Sequence, residues 1–322
     1  MNPLSLLYGA VTGARNLVYD TGWFTARLEA PVVSVGNISV GGTGKTPFII
    51  YLGEQLKQRG ISFDVLSRGY GRASKGVRIV DPEGSPRDFG DEPLLVAQRL
   101  AVPVIVGENR YHAGLRAEQR FGAQLHLLDD GFQHRQLHRD LDIVLLGDGD
   151  LGDRLLPVGR LREPAGALER ADVVVTQSPE GLSPEKIRAH ETCAPTLFKM
   201  DRRMIVDTEV AKSQIAFCGI ARPHGFFAGL RAAGVNVVGE RAFRDHHAYS
   251  DTDIKELQEM RGSSGAEGFV TTEKDQINLG GYAKQLSPLS VVKLSVSVDR
   301  VEELLARVLQ LVALRGAEAA KS

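Results

Sequence analysis

Short apolar runs alternate with amphipathic segments along the first half of the chain. The runs are rich in Val, Ile and Leu, and segments 47–59 and 92–100 between them place apolar residues at helical spacing. Such alternation is typical of a parallel β-sheet whose strands are connected by helices. The predicted strands of this half are 31–36, 62–67, 103–106, 124–128, 142–147 and 172–176.

The second half of the chain repeats this alternation on a smaller scale. Polar and charged residues interrupt the pattern over 200–212, so we expect a lobe boundary there. The pattern predicts one α/β lobe of residues 1–205 and a second, smaller α/β lobe of residues 206–298. The predicted strands of the second lobe are 214–218, 235–239, 268–272 and 290–294.

Both ends of the chain are predicted to be helical. The C-terminal segment 299–322 contains an amphipathic helix, with Val301, Leu304, Leu305, Val308 and Val312 on one face. At the other end, residues 1–14 carry no charged side chain, and apolar residues recur there at helical spacing. An N-terminal helix of this kind packs on its own domain or lies in a membrane interface, and the pattern alone allows both.

Composition narrows the functional classes. The 39 basic and 40 acidic side chains nearly cancel, which argues against a dedicated nucleic-acid binder. Only Cys193 and Cys218 are present, too few for a disulfide framework or a cysteine-based zinc site, and a reducing compartment fits this usage. No run of eighteen or more apolar residues predicts a conventional membrane span.

Residues 36–47, GNISVGGTGKTP, have the composition and the context of a phosphate-binding loop. Glycines bring several backbone N–H groups toward one point, and the following helix aims its positive end there. Lys45 can reach the β- and γ-phosphates of a nucleotide, and the Thr46 hydroxyl can bind Mg²⁺. The strict pattern has glycine where this chain has Ser39. The predicted nucleotide-binding residues are Gly41, Gly42, Thr43, Gly44, Lys45 and Thr46.

Asp129 and Asp130 follow the apolar run 124–128, where the second half of a P-loop site is expected. Adjacent carboxylates at a strand end repel each other unless cations compensate them. We therefore predict that this pair holds Mg²⁺ together with Thr46. The alternative is a turn or helix cap built from Asp-Asp-Gly. The predicted fold class is accordingly α/β, with a P-loop NTPase-type parallel sheet in the larger lobe.

A phosphate loop does not distinguish an ATPase, a GTPase and a kinase. The guanine-specifying Asn-Lys-x-Asp segment is not evident in this chain. Instead, polar blocks follow several predicted strands, and ligands bind at the carboxyl ends of strands in an open parallel sheet. Arginines recur in these blocks and could converge on phosphates: Arg68, Arg72, Arg110, Arg135 and Arg162.

The polar blocks and the loop together resemble a known family. The series VGNISVGGTGKTP, SRGYGR, GDEP, ENR, LDDGFQHR, LPVGRLREP, FRDHHAYS and VTTEKD, over about residues 30–280, is similar to the tetraacyldisaccharide 4'-kinase family, the lipid A 4'-kinases. In that family the position of Ser39 is not usually glycine either. The resemblance implies transfer of the ATP γ-phosphoryl group, with Mg²⁺, to the 4'-hydroxyl of a tetraacylated glucosamine disaccharide 1-phosphate.

The resemblance also implies an active site in the cleft between two lobes, and an N-terminal helix, about residues 3–19, that associates with the membrane surface. The expected location is the cytoplasmic face of the bacterial inner membrane, as a peripheral or monotopic protein. A lipid substrate is the expected partner, with no nucleic acid and no obligate protein partner. Two rival interpretations stay open: a P-loop NTPase switch or metallochaperone, and a soluble small-molecule kinase.

The family motifs carry residue roles onto this chain. They imply Asp91 and His246 as the groups that accept the hydroxyl proton, with His247 as the alternative histidine. These residues lie on different predicted lobes, so we expect them to meet only when the lobes close around substrate. Asp275 has a hinge or an active-site role. The predicted substrate- or phosphate-binding residues are Arg68, Tyr70, Arg72, Arg110, Gln133, His134, Arg162 and Glu163.

Overall fold

The structure, a computed structural model, describes residues 3–20, 25–179, 182, 195–206 and 212–319. Cys193 and residues 207–211 of the expected lobe boundary lie outside the described residues. The described strands are β1 Val32–Asn37, β2 Phe63–Ser67, β3 Arg78–Ile79, β4 Val104–Val106, β5 Leu125–Asp129, β6 Leu141–Leu146, β7 Val173–Thr176, β8 Thr196–Ile205, β9 Gln214–Cys218, β10 Val237–Ala242, β11 Gly268–Thr272 and β12 Leu289–Val298.

In the described part of the chain, these strands form a single twelve-stranded sheet in the order β10-β9-β11-β12-β8-β7-β6-β1-β5-β2-β4-β3. All ten predicted strands are confirmed, with β10 shifted two residues toward the C-terminus. Neighbouring strands are parallel except at two places, β3 with β4 and β8 with β12. The predicted mixed α/β class, with a largely parallel sheet, is confirmed.

Strand β8 joins the two halves of the sheet. Its first residues, Thr196–Lys199, pair in parallel with β7, and Met200–Ile205 pair antiparallel with β12. Residues 200–205, the start of the expected boundary segment 200–212, are therefore part of a strand that was not predicted. Polar residues alternate there because one face of the strand is exposed, with Asp201 and Arg203 outward, and an antiparallel strand tolerates that pattern. The division into lobes remains a prediction.

The helices lie between the strands and at both ends of the chain. None in the described part of the chain combines the length and apolarity that a membrane crossing requires. They are α1 Pro3–Asp20, α2 Lys45–Gln58, α3 Pro86–Phe89, α4 Asp91–Leu100, α5 Arg110–Phe121, α6 Pro223–Ala232, α7 Asp251–Ser264, α8 Glu273–Leu279 and α9 Val301–Ala319. Short 3₁₀ turns lie at Asp150–Gly152, Ala165–Arg170 and Gly280–Leu286.

The C-terminal helix α9 belongs to the largest hydrophobic core. Its predicted apolar face is confirmed, because Leu304, Leu305 and Val308 are fully buried there. They lie in one cluster with Phe48 of α2 and Val296 of β12. Helix α9 thus covers the sheet beside the β8–β12 junction, and burial of its apolar stripe stabilises that junction.

We expect Leu305→Ala to lower the free energy of unfolding by about 2–5 kcal/mol, because the buried side chain would leave a cavity. Leu314→Ala, on the same helix at a position 55% exposed, is the matched control and should change it by less than about 0.5 kcal/mol. Urea denaturation followed by circular dichroism measures both. Equal effects of the two substitutions would show that α9 does not anchor the core.

Candidate active site

The phosphate-binding loop lies between β1 and α2, as predicted. Gly41 and Gly44 have φ values of 107° and 91°, a backbone conformation that residues with a side chain rarely adopt. Gly44 forms the N-cap of α2. The buried Thr43 hydroxyl accepts a hydrogen bond from Asn37 Nδ2 at 3.0 Å, which fixes the loop to the end of β1. Lys45 and Thr46 begin α2, so the positive end of that helix faces the same space as the Lys45 side chain.

Ser39, where the strict pattern has glycine, is a buried part of the loop's support. Its hydroxyl donates to Asp150 Oδ2 at 2.9 Å, and its backbone is outside the left-handed region that would need glycine. The adjoining chain pairs with residues 160–162, through Val40 N to Arg160 O at 2.8 Å and Arg162 N to Ile38 O at 2.7 Å. The serine therefore anchors the outer side of the loop.

The two aspartates after β5 have different environments. Asp129 Oδ2 accepts from Ser67 Oγ at 2.9 Å, whereas its buried Oδ1 has no hydrogen-bond partner in the described structure. Burial and the neighbouring carboxylates of Glu92 and Asp130 raise the pKa of Asp129 to about 7. Burial also opposes ionisation of Asp130, but Lys45 and Arg162 outweigh it and hold the pKa of Asp130 below its usual value.

These residues fit a magnesium ion bound together with nucleotide phosphates. Mg²⁺ takes oxygen ligands, commonly one or two carboxylates, with water and phosphate oxygens completing the shell. The buried Asp129 Oδ1 lacks a donor, and a cation would remove the penalty of charging it. Within the described residues, no cluster of three or more His, Cys, Asp or Glu side chains forms a metal site by itself. Thr46, Asp129 and Asp130 are the residues that would hold the ion.

Arg162 and Gln133 lie against the phosphate loop. Arg162 Nη1 is 2.8 Å from Asp130 Oδ2, and Lys45 Nζ is 3.4 Å from Asp130 Oδ1, so two cations converge on one carboxylate. Gln133 Nε2 donates to the Asn37 carbonyl at 2.7 Å, and its Oε1 accepts from Arg162 at 3.4 Å. His134 belongs to the same turn, with its N–H donating to the Gly131 carbonyl at 2.8 Å. The structure thus brings these predicted residues together.

Arg110 is the predicted arginine that faces the two aspartates from the other side. It is buried at the start of α5 and donates to the Glu108 carbonyl at 2.8 Å. Burial and the nearby Arg68 lower the pKa of Arg110, and the carboxylates of Asp130 and Asp129 oppose that shift. A buried guanidinium at this position is suited to phosphate oxygens. Arg68 itself is exposed beside it.

Arg72 and Glu163 lie away from this convergence. The Arg72 side chain donates to Glu108 Oε1 and to the Gly76 carbonyl, both at 2.7 Å, and these bonds hold the segment after β2. Glu163 is fully buried, and its Oε2 accepts from Arg170 at 2.7 Å and from Asn16 of α1 at 2.9 Å. Their present contacts are therefore with the protein, and ligand roles for both remain predictions.

Asp91 and His246 form a pair across the two halves of the sheet. Asp91, 4% exposed at the start of α4, accepts from His246 Nδ1 at 2.9 Å. Burial opposes ionisation of Asp91, but His246 and Lys274 hold its pKa below the usual value, while the bond to Asp91 raises the pKa of His246. These contacts join the two residues in the described structure, and the assembly of the pair by lobe closure around substrate remains a prediction.

The backbone around Gly219 positions His246. His246 has a φ of 56°, unusual for a residue with a side chain, and its N–H donates to the Gly219 carbonyl at 3.2 Å. Gly219 N donates in turn to Asp275 Oδ1 at 2.7 Å. Asp275 is buried and also accepts from Tyr249 at 2.9 Å and Thr272 at 2.6 Å. In the structure Asp275 therefore holds the turn that presents His246.

His247 points into the second half of the sheet. Its ring stacks on Phe243 with centroids 4.7 Å apart, and its Nε2 lies 3.1 Å from Asp253 Oδ2. In contrast, the His246 ring lies 5.4 Å from that of Tyr70, whose side chain is largely exposed. Of the two adjacent histidines, His246 is the one that contacts residues of the half of the sheet that carries the phosphate loop.

Two residues of α8 were missed by sequence analysis. Lys274 Nζ is 3.4 Å from Glu92, from Asp245 and from His246 Nε2, and Asn278 donates to Asp91 Oδ2 at 3.1 Å. Residues four apart on a helix share a face, and that spacing was the available signal. The spacing of Lys274 and Asn278 could not be interpreted from the sequence alone, because the sequence does not show which face of α8 contacts Asp91.

The N-terminal helix α1 is fastened along one side of the larger half. Ser5 Oγ donates to the Leu155 carbonyl at 3.0 Å, and Tyr8 OH donates to the Arg162 carbonyl at 3.1 Å. On the outward side, Leu4 and Val11 are 60% and 62% exposed. The helix therefore packs on its own domain and also presents apolar side chains to its surroundings.

Comparison with known proteins gives a consistent result over nearly the whole chain. The family model described as LpxK, tetraacyldisaccharide-1-P 4'-kinase, matches residues 1–313. The tetraacyldisaccharide 4'-kinase of Koribacter versatilis is 48% identical over 98% of this chain and 99% of its own, and that of Aquifex aeolicus is 39% identical over 94% and 95%. The crystal structure of LpxK from Aquifex aeolicus in complex with ATP superposes with a TM-score of 0.79 at 37% identity, covering 96% of this chain and 98% of that one.

Proposed function

The chain belongs to the tetraacyldisaccharide 4'-kinase family, and we propose that Asp91 and His246 accept the proton of the sugar hydroxyl that it phosphorylates. The reaction transfers the γ-phosphoryl group of ATP to the 4'-hydroxyl of a tetraacylated glucosamine disaccharide 1-phosphate, a step in lipid A biosynthesis. The observation that carries the proposal is the 2.9 Å contact between Asp91 Oδ2 and His246 Nδ1, which joins the two halves of the sheet.

The nucleotide is held by the loop and by the cations around it. We infer that backbone N–H groups at the start of α2 and the Lys45 ammonium bind the β- and γ-phosphates. Arg162 and Arg110 face the same carboxylates, and their guanidinium groups stabilise negative charge on the transferring phosphoryl group. Thr46, Asp129 and Asp130 would hold magnesium, which would supply positive charge to neutralise the phosphates.

The acceptor hydroxyl must lose its proton as its oxygen attacks phosphorus. The pKa of Asp91 is lowered and that of His246 is raised, so a proton accepted by the pair rests on the imidazole. Asp91 then stabilises the resulting imidazolium through the Nδ1 contact. Lys274 favours the ionised form of Asp91 and, through Glu92 and Asp245, holds the two halves at this site.

We propose that the two predicted lobes divide this work. Residues 1–205 carry the loop, the two aspartates and Asp91, and residues 206–298 carry His246, Lys274 and Asn278. The C-terminal segment 299–322 contributes α9, whose described residues pack on the larger lobe. The substrate lies between the two sets of residues because the proton acceptor draws one member from each.

The lipid substrate suggests a role for α1. We propose that Leu4 and Val11 lie in the interface of the inner membrane, on its cytoplasmic face, while Tyr8 and Asn16 bind the body of the protein. The exposure of two large apolar side chains on a helix that is fastened next to Arg162 supports this arrangement. Acyl chains and the active site would then be on the same side of the molecule.

Transfer of labelled γ-phosphate from ATP to tetraacyldisaccharide 1-phosphate, in detergent with Mg²⁺, tests the proposed proton acceptor. We expect His246→Gln to lower kcat by about 10²–10⁴-fold, the usual contribution of general base catalysis. His247→Gln is the matched control and should retain most activity, because that side chain contacts Asp253 and Phe243 instead. Lys45→Ala, which removes the ammonium group of the phosphate loop, is the inactive reference. Full activity of His246→Gln would exclude the proposed pair.

The pH dependence of kcat/KM tests the electrostatics of the pair. A protonated His246 cannot accept another proton, so kcat/KM should fall as the pH drops through its pKa, which Asp91 raises above the usual 6.5. In Asp91→Asn the imidazolium loses its carboxylate, and the acidic limb of the residual activity should move to lower pH. If the acidic limb of the pH profile does not move in Asp91→Asn, His246 does not control that limb.

Membrane association is tested with the doubly substituted Leu4→Glu, Val11→Glu protein. We expect its partition onto phospholipid vesicles, measured by co-sedimentation, to fall at least about tenfold, because two apolar side chains no longer enter the interface. Leu314→Glu, also at an exposed leucine of a terminal helix, is the control and should sediment normally. Unchanged sedimentation of the double variant would remove α1 from the membrane contact.

A further inference from the structure

Arg202 of β8 reaches the phosphate loop, although sequence analysis treated it only as part of a polar interruption. Pairing of β7 with β8 ends at Thr176 and Lys199, and Arg202 lies three residues further on, opposite Val296 of β12. Arg202 therefore lies beyond the carboxyl end of β7, at the edge of the sheet where ligands bind. A β-carbon built on Gly44 would be 2.9 Å from Arg202 Nη1 and 3.5 Å from its Cδ.

The surroundings of Arg202 compensate its positive charge only in part. Its guanidinium donates to the neutral amide oxygen of Gln177, the residue that follows β7. No carboxylate in the described part of the chain forms an ion pair with it, and the charge of Asp148 favours its protonated form without a direct contact. Burial and the neighbouring Arg222 lower the pKa of Arg202.

Positive charge near Arg202 further disfavours its protonated form. The N-terminus of α2 starts at Gly44, against which the guanidinium lies, and Lys45 is the next residue. A half-buried cation beside a helix N-terminus and near a second arginine, Arg222, is unfavourable until an anion approaches. A guanidinium, with N–H donors on three nitrogens, is suited to the non-bridging oxygens of a phosphate group.

We propose that Arg202 is a further nucleotide-binding residue, contacting the phosphate chain of ATP on the side of the loop that faces the second half of the sheet. This inference rests on the proposed placement of the nucleotide at residues 41–46. Because β8 also pairs with β12, the contact ties the bound nucleotide to the strand that joins the two halves. ATP binding thereby fixes β8 against the loop.

Equilibrium binding of ATP, ADP and adenosine by isothermal titration calorimetry, with the full-length protein in detergent, tests the proposal. We expect Arg202→Ala and Arg202→Gln to weaken ATP and ADP binding about 10–100-fold, the usual effect of losing a hydrogen bond to a charged group. Adenosine, which has no phosphate, should bind them as it binds the unsubstituted protein. The KM for ATP should rise while the KM for the lipid stays unchanged, which a general loss of structure would not produce.

Arg203→Ala is the matched control, because Arg203 is the next residue of the same strand, carries the same charge and is exposed on the opposite face. It should bind ATP normally. Arg202→Gln keeps most of the side chain and decides the question if Arg202→Ala does not fold. Normal ATP affinity of Arg202→Gln, with binding lost in Lys45→Ala, would overturn the role of Arg202 alone. Normal affinity of Lys45→Ala would overturn the nucleotide site and this inference with it.

Discussion

A carboxylate buried at the start of a helix has to be compensated, and in this protein the compensation comes from the other half of the sheet. Asp91 accepts hydrogen bonds from His246 and Asn278, with Lys274 close by. A buried carboxylate without such partners would cost several kcal/mol. The contacts that stabilise Asp91 therefore also set the relative position of the two halves and bring the proposed proton acceptor together.

The need to compensate buried carboxylates also distinguishes the adjacent residues Asp129 and Asp130. Lys45 and Arg162 both approach Asp130, which is consequently ionised and occupied by protein cations. Asp129 receives one hydroxyl hydrogen bond and retains a buried oxygen with no donor. The buried Oδ1 of Asp129 supports its assignment as a metal ligand, and that assignment, like the one for Asp130, remains a prediction.

The reversal of strand direction at β8 and β12 makes this arrangement possible. Two sets of parallel strands meet there in opposite directions, so the second half does not simply extend the first. The turn at Gly219, held by the buried Asp275, then presents His246 toward α4. Helix α9 packs beside the same junction, so the apolar core and the polar site depend on one region of the sheet.

The sequence by itself determined ten of the twelve described strands, helices α1, α2, α4 and α9, the phosphate loop and, through the order of its polar blocks, the family. These features depend on local periodicity, on the backbone freedom of Gly41 and Gly44 and on motif spacing, all of which are legible along one chain. Strands β3 and β8 escaped prediction, β8 because its outward residues are charged. Only the tertiary structure decided which cation meets which carboxylate. Lys274 and Arg202 have the sequence character of ordinary surface residues, and their environments arise from strands and helices that are distant along the chain, since charge interactions depend on distance in space.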